Sequence, residues 1–449
     1  MSIIVLEEIM TDLQINPLTL TDSYGKIFMY NNESSVACVP RHTIRMNEPV
    51  NPDCLLRAVR IALLRFPHMC IGLEKAETSL RCFVNGEEPV VLPFDPTGMT
   101  HRYTIGSADT HYYLFLVGYR ENYIYMEYQH SICDGRGFEE FIRTVLFLYL
   151  KECGKPVEND GTIRTLDTIY TREESEDAFR ALQQMTPKAD GIYQKPAAVH
   201  AEGLINLGDV PELLTEVSFS FTELHAVAKR LGVSPLTILM PVFSRAFYKK
   251  YGNHSENPVI AQIPVDLRQV VPSSTTRYFV CFLDLPYLAE YQSLPMEQAC
   301  QRTHEFLQTQ LVPEQLLYRG KVASETCLEL HERDISLKEK IEEGIKIARG
   351  FVLQDSFLVT NVGQFTLPDC MHPYVEEYSA VLPSAAQTYA LLISSYKGNM
   401  HVSIAHKDHN FDVCQDMIAL LSELGIHAEM RTEPFCVTRY SGEMCAQGI

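Results

Sequence analysis

One short stretch of the chain, YQHSICDGRGF (residues 128–138), holds the residue types that acid–base chemistry requires. His130 is followed four residues later by Asp134 and then by Gly135. The ordinary pKa of imidazole, about 6.5, lets the neutral ring accept a proton near neutral pH. A glycine beside it permits tight backbone geometry. The pattern favours a general base, although a lone histidine on an apolar strand is more often a satisfied core residue.

The flanking segments predict where these side chains lie. The stretch YYLFLVGYRENYIYMEY (residues 112–128) predicts two strands joined by a YREN turn, and residues 139–150 have the pattern of a helix. We therefore expect His130 at the end of a strand, with Asp134 and Gly135 in the turn that begins the helix. Strand ends are where α/β folds expose reactive groups.

The composition bounds the class of protein. The chain has 449 residues, 46% of them hydrophobic and 21% charged, which is typical of a globular protein with two or three domains or two large lobes. Its formal net charge of −19 argues against non-specific nucleic-acid binding and against attachment to anionic membranes. An anionic cosubstrate remains compatible, since a few local cations can hold it.

Sequence motifs for metal binding and for phosphate binding are weak. The 13 cysteines form no CxxC pair, so we expect reduced thiols and no metal. Gly-rich phosphate loops, GxSxG and HExxH are absent. HVSIAHKDH (residues 401–409) brings three histidines and an aspartate together in sequence, and a metal site there is conceivable. A polar strand exit is the stronger interpretation, because side chains of a strand and its turn need not converge.

The ends and the middle of the chain give the expected location and domain division. The N-terminus carries acidic residues and no basic start, and no run of about 18 apolar residues occurs, so we expect a cytoplasmic protein without membrane insertion. Residues 183–204 are rich in Pro, Gly and Ala and lack periodicity, which is typical of a linker. This predicts an N-terminal lobe over residues 1–182 and a C-terminal lobe over residues 205–449.

Several segments together resemble one known superfamily. HSICDG (residues 130–135) matches the HxxxDG motif of the chloramphenicol-acetyltransferase-like acyltransferases, which include condensation domains and alcohol acetyltransferases. The resemblance continues over most of the chain. The supporting segments are NPDCLLRAVRIALLRFP (51–67), LGVSPLTILMPVFSRAFYKKYG (231–252), IPVDLR (263–268) and VTNVGQF (359–365).

The resemblance implies a fold and a set of residue roles. The fold would be α/β with layers of mixed sheet, in which two chloramphenicol-acetyltransferase-like lobes enclose an active-site tunnel. His130 would be the general base, and Asp134 would be a structural group held by Arg268. Gly135 would leave room for the arm of the thioester. Asn361 would orient the acyl group or stabilise the oxyanion.

The resemblance also implies the substrates. The donor would be acyl-CoA or an acyl-phosphopantetheine thioester, so that an acyl-carrier protein is a second potential partner, and the acceptor would be a small alcohol or amine. We expect a monomer. The chemistry fits direct attack by the acceptor, which needs a base and oxyanion donors but no enzyme nucleophile. Cys133 offers covalent catalysis as an alternative, although a thiol in this turn is expected to face the interior.

Two other functions stay open at this point. Condensation domains often carry a second histidine just before the base, and here Gln129 stands in that position. This departure favours a stand-alone acyltransferase over a condensation-type amide synthase. A non-catalytic binding protein of the same fold is the third possibility, against which the retained His, Asp, Gly and Arg set argues.

Overall fold

The computed structural model describes residues 21–31, 38–202, 204, 212–384 and 387–440. Residues 1–20, on which the expectation about the N-terminus rests, lie outside the described residues, as do residue 203 and residues 205–211 at the end of the predicted linker.

Helices begin where the sequence offers polar caps. Asn51 accepts hydrogen bonds from the backbone N–H groups of Asp53 and Cys54, and Pro52 occupies the first helical position. Over the described residues the helices are α1 (Lys26–Tyr30), α2 (Pro52–Arg65), α3 (Gly135–Glu152), α4 (Phe179–Gln183), α5 (Phe221–Leu231), α6 (Leu236–Tyr251), α7 (Met296–Gln310), α8 (Pro313–Glu332), α9 (Leu337–Val352) and α10 (Asp412–Glu423).

The strands form two large sheets and two small ones. Over the same residues they are β1 (Arg41–Met46), β2 (Ile71–Lys75), β3 (Leu80–Val84), β4 (Leu92–Pro93), β5 (Thr104–Ile105), β6 (Phe115–Arg120), β7 (Tyr123–Tyr128), β8 (Glu212–Ser220), β9 (Val259–Asp266), β10 (Val280–Tyr287), β11 (Phe357–Gln364), β12 (Val375–Val381), β13 (Tyr389–Tyr396), β14 (Asn399–His406), β15 (Glu429–Phe435) and β16 (Arg439–Tyr440). The five-stranded sheet has the order β12-β1-β7-β6-β4, and the seven-stranded sheet has the order β10-β9-β11-β13-β14-β8-β15.

Each large sheet contains both parallel and antiparallel pairs, which confirms the predicted α/β class with mixed sheets. The β6–β7 hairpin and the helix after it occur where the sequence predicted them. Helix α3 packs its apolar face, including Phe138, Phe141 and Val145, into the main core, where all three side chains are fully buried. This packing fixes the helix whose first turn follows His130.

The chain exchanges elements between its two halves. Strand β12 pairs antiparallel with β1, so that residues 375–381 complete the sheet that carries His130. The short strand β16 likewise pairs with β5. The division of the chain into residues 1–182 and 205–449 therefore follows the order of the sequence and does not match the membership of the sheets. The exact boundary stays a prediction.

The described part of the predicted linker has no regular structure after α4, and it is attached at several points to the second lobe. Lys195 Nζ lies 2.8 Å from Asp355 Oδ1 and 3.0 Å from Asp284 Oδ1. The Val199 carbonyl accepts from the Ser356 hydroxyl at 2.6 Å. Residues 188–191, by contrast, are exposed.

No single helix in the described ranges is long and apolar enough to cross a membrane. Helices α5 and α6 meet the length and composition test only as a pair, and they are bent by 95° at their junction.

Limited trypsin digestion tests the position of the linker. We expect the first cut after Lys188, because it lies in the exposed stretch, whereas Lys195 is ion-paired and precedes a proline. The two fragments, residues 1–188 and 189–449, should co-elute on size exclusion, since β12 belongs to the sheet of the first fragment. Lys188→Gln should delay the first cut. An early cut within residues 222–252, or separation of the fragments, would show that the division is wrong.

Candidate active site

His130 lies two residues beyond the end of β7, in the turn that leads into α3. Its Nδ1 lies 3.0 Å from the carbonyl oxygen of Cys133. A carbonyl oxygen can only accept, so this hydrogen bond places the proton of the neutral ring on Nδ1 and leaves Nε2 with its lone pair. The turn thus prepares Nε2 to accept a proton from a bound molecule.

Three aromatic rings surround the imidazole. Phe28 of α1 stacks on it with 5.0 Å between ring centroids, while Tyr128 and Tyr278 contact it edge-on at 5.1 and 5.5 Å. The ring is half-buried, and it lines a cavity. Burial lowers the pKa of His130 to about 4, against the opposing effects of the Cys133 carbonyl and the Asp134 charge. The ring is therefore neutral, and able to accept a proton, throughout the physiological range.

The cavity lies between the lobes and has a volume of about 170 Å³. Its walls are mostly apolar, with residues such as Tyr128 and Gly135 from the first half of the chain and Val280, Leu358 and Leu392 from the second. An apolar cavity with a few polar groups is typical of a small-molecule site. Site formation thus depends on the relative position of both lobes.

Asp134 caps helix α3, and the hydrogen bonds of its carboxylate go to groups other than His130. Its Oδ1 accepts from the Gly137 backbone N–H at 2.9 Å, and its Oδ2 accepts from Arg268 Nη1 at 2.7 Å and from the Phe279 N–H at 3.1 Å. The side chains of Asp134 and Arg268 are only 5% and 4% exposed. The structure therefore brings together the aspartate and the arginine that the resemblance paired.

Arg268 fixes a loop of the second lobe as well as the aspartate. Its Nε donates to the Thr275 carbonyl at 3.0 Å and its Nη2 donates to the Arg277 carbonyl at 2.6 Å. Its Nη1 also reaches Asp266 Oδ1 at 3.0 Å. One guanidinium thus connects the start of α3 with the loop between β9 and β10, a role that the fork geometry of arginine suits and that of lysine does not.

Gly135 and Gly137, in the first turn of α3, lie against different neighbours that a side chain would approach. Gly135 lines the cavity, and a Cβ there would approach Val362 Cγ1 at 3.2 Å. Gly137 lies against the second lobe, and a Cβ there would come within 1.7 Å of the Thr276 carbonyl oxygen. Gly137 is therefore required for close approach of the lobes, which the sequence analysis did not identify.

Gln129, which stands where the resemblance places the second histidine of condensation domains, has a structural role here. It is fully buried, and its Nε2 donates to the Phe28 carbonyl at 2.7 Å while its Oε1 accepts from the Ser131 N–H at 2.8 Å. The Tyr440 hydroxyl donates to the same Phe28 carbonyl. These bonds hold α1 over His130, a contact between distant parts of the chain that no local sequence signal indicates.

Asn361 does not reach the cavity. Its side chain is exposed, and its Oδ1 accepts from the Gly363 N–H at 2.9 Å. Thr360 and Val362, on either side of it, line the cavity instead. Side chains alternate between the two faces of a strand, and the pairing of β11 with β13 shifts register after Asn361. The role expected for Asn361 at the acyl group is not supported by this placement.

Cys133 contributes its backbone carbonyl to the site. Its side chain is fully buried in the core, and burial raises the pKa of the thiol well above its ordinary value. A thiol in this state is a poor nucleophile, which disfavours the covalent alternative.

The histidines of residues 401–409 do not converge. His401 and His406 lie on opposite faces of β14, because their positions differ by five, an odd number. The His401 ring approaches Glu216 Oε1 at 3.2 Å and Glu377 Oε1 at 3.9 Å, a spacing that could suit a metal. Arg431 Nη2 lies 2.8 Å from the same Glu216 oxygen and already supplies positive charge there.

Comparisons with known proteins give similarity in structure alone. No family model matches the sequence, and no curated protein matches it. Polyketide synthase associated protein 5 from Mycobacterium tuberculosis has a similar structure, with a TM-score of 0.58 at 14% identity, covering 90% of this chain and 97% of that one.

Two further structures are similar over nearly the whole chain. TRI101 from F. graminearum, complexed with coenzyme A and T-2 mycotoxin, has a TM-score of 0.58 at 11% identity, covering 91% of this chain and 98% of that one. A variant of the starter condensation domain of rhizomide synthetase RzmA, in complex with C8-CoA, has a TM-score of 0.56 at 12% identity, covering 92% and 95%. The expected two-lobed fold, which these structures share, is confirmed.

The Asp134–Arg268 pair can be tested by a double-mutant cycle in denaturant. Removing one partner of a buried pair leaves a buried charge and costs on the order of 3–5 kcal/mol, so Asp134→Ala and Arg268→Ala should each lower the free energy of unfolding substantially. The double variant should lose less than the sum, since the second change removes the stranded charge.

Asp134→Asn is the matched control, because asparagine keeps an oxygen for the helix cap to Gly137 but loses the charge and the acceptor for Arg268 and Phe279. It should be more stable than Asp134→Ala and less stable than the wild type. Strictly additive losses in the cycle would contradict the structural role of the pair. Asp134→Ala with native stability and no activity would make the aspartate a direct participant in the reaction.

Proposed function

We propose that this protein is an acyltransferase that moves an acyl group from a thioester, acyl-CoA or acyl-phosphopantetheine, to the hydroxyl or amine of a small acceptor. The observation that carries the proposal is the His130 imidazole, whose Nδ1 is bound by the Cys133 carbonyl and whose ring lines an apolar cavity between two lobes. The proton acceptor and the binding space for a small molecule thus adjoin each other.

The residues support direct transfer. The acceptor O–H or N–H gives its proton to His130 Nε2 as its heavy atom attacks the thioester carbonyl. The tetrahedral intermediate then collapses, the C–S bond breaks, and the imidazolium returns the proton to the departing thiolate. The positive charge that forms on the ring is stabilised by the Cys133 carbonyl at Nδ1 and by the carboxylate of Asp134 nearby. No enzyme nucleophile enters this sequence, consistent with the buried Cys133 thiol.

The lowered pKa of His130 sets the protonation state of the ring before substrate binds. The ring stays unprotonated in the absence of substrate, so that no acid form accumulates near pH 7. Bound acceptor and donor displace water from the apolar cavity, which limits hydrolysis of the thioester.

The structural neighbours support the substrate classes. TRI101 was crystallised with coenzyme A and a small mycotoxin, and the RzmA condensation-domain variant with C8-CoA. We infer a CoA thioester as donor and a small molecule as acceptor for this chain. A carrier protein as alternative donor, a monomeric state and a cytoplasmic location stay predictions, as does the absence of a metal requirement.

A condensation-type amide synthase is the second candidate, since the fold is shared with condensation domains. The contacts of Gln129 favour the first. Gln129 occupies the position of the additional histidine, and its side chain connects α1 to the turn. His130 is therefore the one histidine of the motif. A non-catalytic binding protein of this fold would have no need of a proton acceptor oriented by its own turn.

His130→Ala tests the base. A positioned general base contributes roughly 10²–10⁴-fold, so this variant should lose at least about 10²-fold in acyl transfer with little change in melting temperature. The assay is thiol release from acetyl- to octanoyl-CoA with a panel of alcohols and amines, each product being confirmed by mass.

His427→Ala is the matched surface control, because this histidine is 81% exposed, and it should keep full activity. Cys133→Ala retains the backbone carbonyl, and its complete inactivity with native folding would indicate a thiol nucleophile. Full activity of folded His130→Ala would refute the mechanism.

A further inference from the structure

A second histidine, His42, lines the same cavity. It lies on β1 opposite Met126 of β7 and Ala380 of β12, and only 1% of its surface is exposed. Its ring contacts Phe138 and Tyr128, with centroid distances of 5.5 and 5.9 Å. Because Tyr128 also contacts His130, the two histidines share one aromatic neighbour. The sequence analysis did not identify His42, since no motif surrounds it.

One nitrogen of His42 is bound and the other is not. Nδ1 lies 2.8 Å from the Tyr378 hydroxyl, which in turn donates to Glu139 Oε1 at 2.7 Å. Nε2 is buried and has no hydrogen-bond partner among the described residues. A buried polar group left unpaired is destabilising, so an unpaired nitrogen on a ring that lines a cavity points to a ligand.

The ring is neutral, and its proton can be on either nitrogen. Burial, together with nearby His130, lowers the pKa of His42 to about 3. When Glu139 is ionised, Tyr378 donates to it, His42 Nδ1–H donates to Tyr378, and Nε2 can only accept. When Glu139 is protonated, the chain of donors can reverse, and Nε2–H then donates. Burial raises the pKa of Glu139 to about 8, so both arrangements are accessible near neutral pH.

The two possible positions of the His42 proton restrict the chemical class of a ligand bound at Nε2. A carbonyl oxygen can pair with Nε2 in only one arrangement, and an ammonium only in the other. A hydroxyl group both donates and accepts, so it satisfies Nε2 in both. The rest of the cavity is mostly apolar, which requires a largely apolar body around that hydroxyl.

We propose that His42 is a substrate-binding residue whose Nε2 holds a second hydroxyl of the acceptor, and that the natural acceptor is an apolar molecule carrying at least two polar groups. One group is acylated at His130 and the other is bound at His42. This inference rests on the proposed acyltransferase function for the identity of the bound molecule as acceptor. The subsite itself rests on the hydrogen-bonding state of His42.

Binding of a matched probe series tests the subsite without turnover. The probes are 1-hexanol and the five isomers from 1,2- to 1,6-hexanediol, which share one body and move the second hydroxyl stepwise. Dissociation constants are measured by NMR titration on the intact protein with ¹⁵N-labelled histidine. In the wild type, the diol of best spacing should bind about tenfold more tightly than 1-hexanol, as one buried hydrogen bond provides. The His42 Nε2 resonance should shift more at saturation with that diol than with 1-hexanol, whose single hydroxyl can occupy only one of the two polar positions at a time.

Variants distinguish a binding role of His42 from a structural one. His42→Phe should reduce the preference for the diol to within about twofold, whereas His42→Gln, which places an amide near the position of Nε2, should retain part of it. His427→Phe is the control at an exposed histidine. Melting curves identify any variant that fails to fold. If His42→Phe does not fold, the shift of the wild-type His42 Nε2 resonance tests the subsite.

The outcomes distinguish the two proposals. A wild type that does not prefer any diol, or a His42→Phe variant that keeps the preference, would overturn the subsite. A preference that depends on His42, found together with no thiol release from any acyl-CoA, would retain the subsite and refute the acyltransferase proposal. Thiol release with a selectivity among the diols that disappears in His42→Phe is the result expected if both are correct.

Discussion

The buried ion pair between Asp134 and Arg268 joins the two lobes at the base of the turn that carries His130. Neither charge could be buried at this depth without the other, because desolvation of each ion costs several kcal/mol. The structure offsets that cost with five hydrogen bonds to other groups: two from backbone N–H groups to Asp134, and one each from Arg268 to Asp266, Thr275 and Arg277. The pair therefore connects the two halves of the chain beside the cavity that residues of both halves line.

The same turn determines the chemical state of the histidine. Capping of α3 by Asp134 sets the path of residues 130–134, and that path brings the Cys133 carbonyl to His130 Nδ1. The hydrogen bond selects the tautomer with a free Nε2, while the aromatic rings around the imidazole keep it neutral by excluding water. A structural ion pair thereby influences the state of His130 at a distance, through backbone geometry and without direct contact with the ring.

Sequence reasoning located those features whose partners are close in the chain or belong to a motif. The capped helix after His130 follows from local patterns, and Arg268 was identified only through the resemblance. Asn361 was misplaced, because strand parity and a register shift decide which of three adjacent residues faces the cavity, and periodicity does not locate such a shift. Gly137 and His42 were missed for a different reason. Their importance arises from a backbone or a hydroxyl more than a hundred residues away, which the sequence alone does not place beside them.

The central claim is that the turn makes His130 a neutral base with its proton on Nδ1. Imidazole ¹⁵N chemical shifts of the labelled protein test this directly, with the resonances assigned by their loss in His130→Gln. At pH 7 the account predicts a neutral ring protonated at Nδ1, which takes up a second proton only as the pH falls towards about 4. A ring protonated at Nε2, or an imidazolium already present near pH 7, would contradict the account.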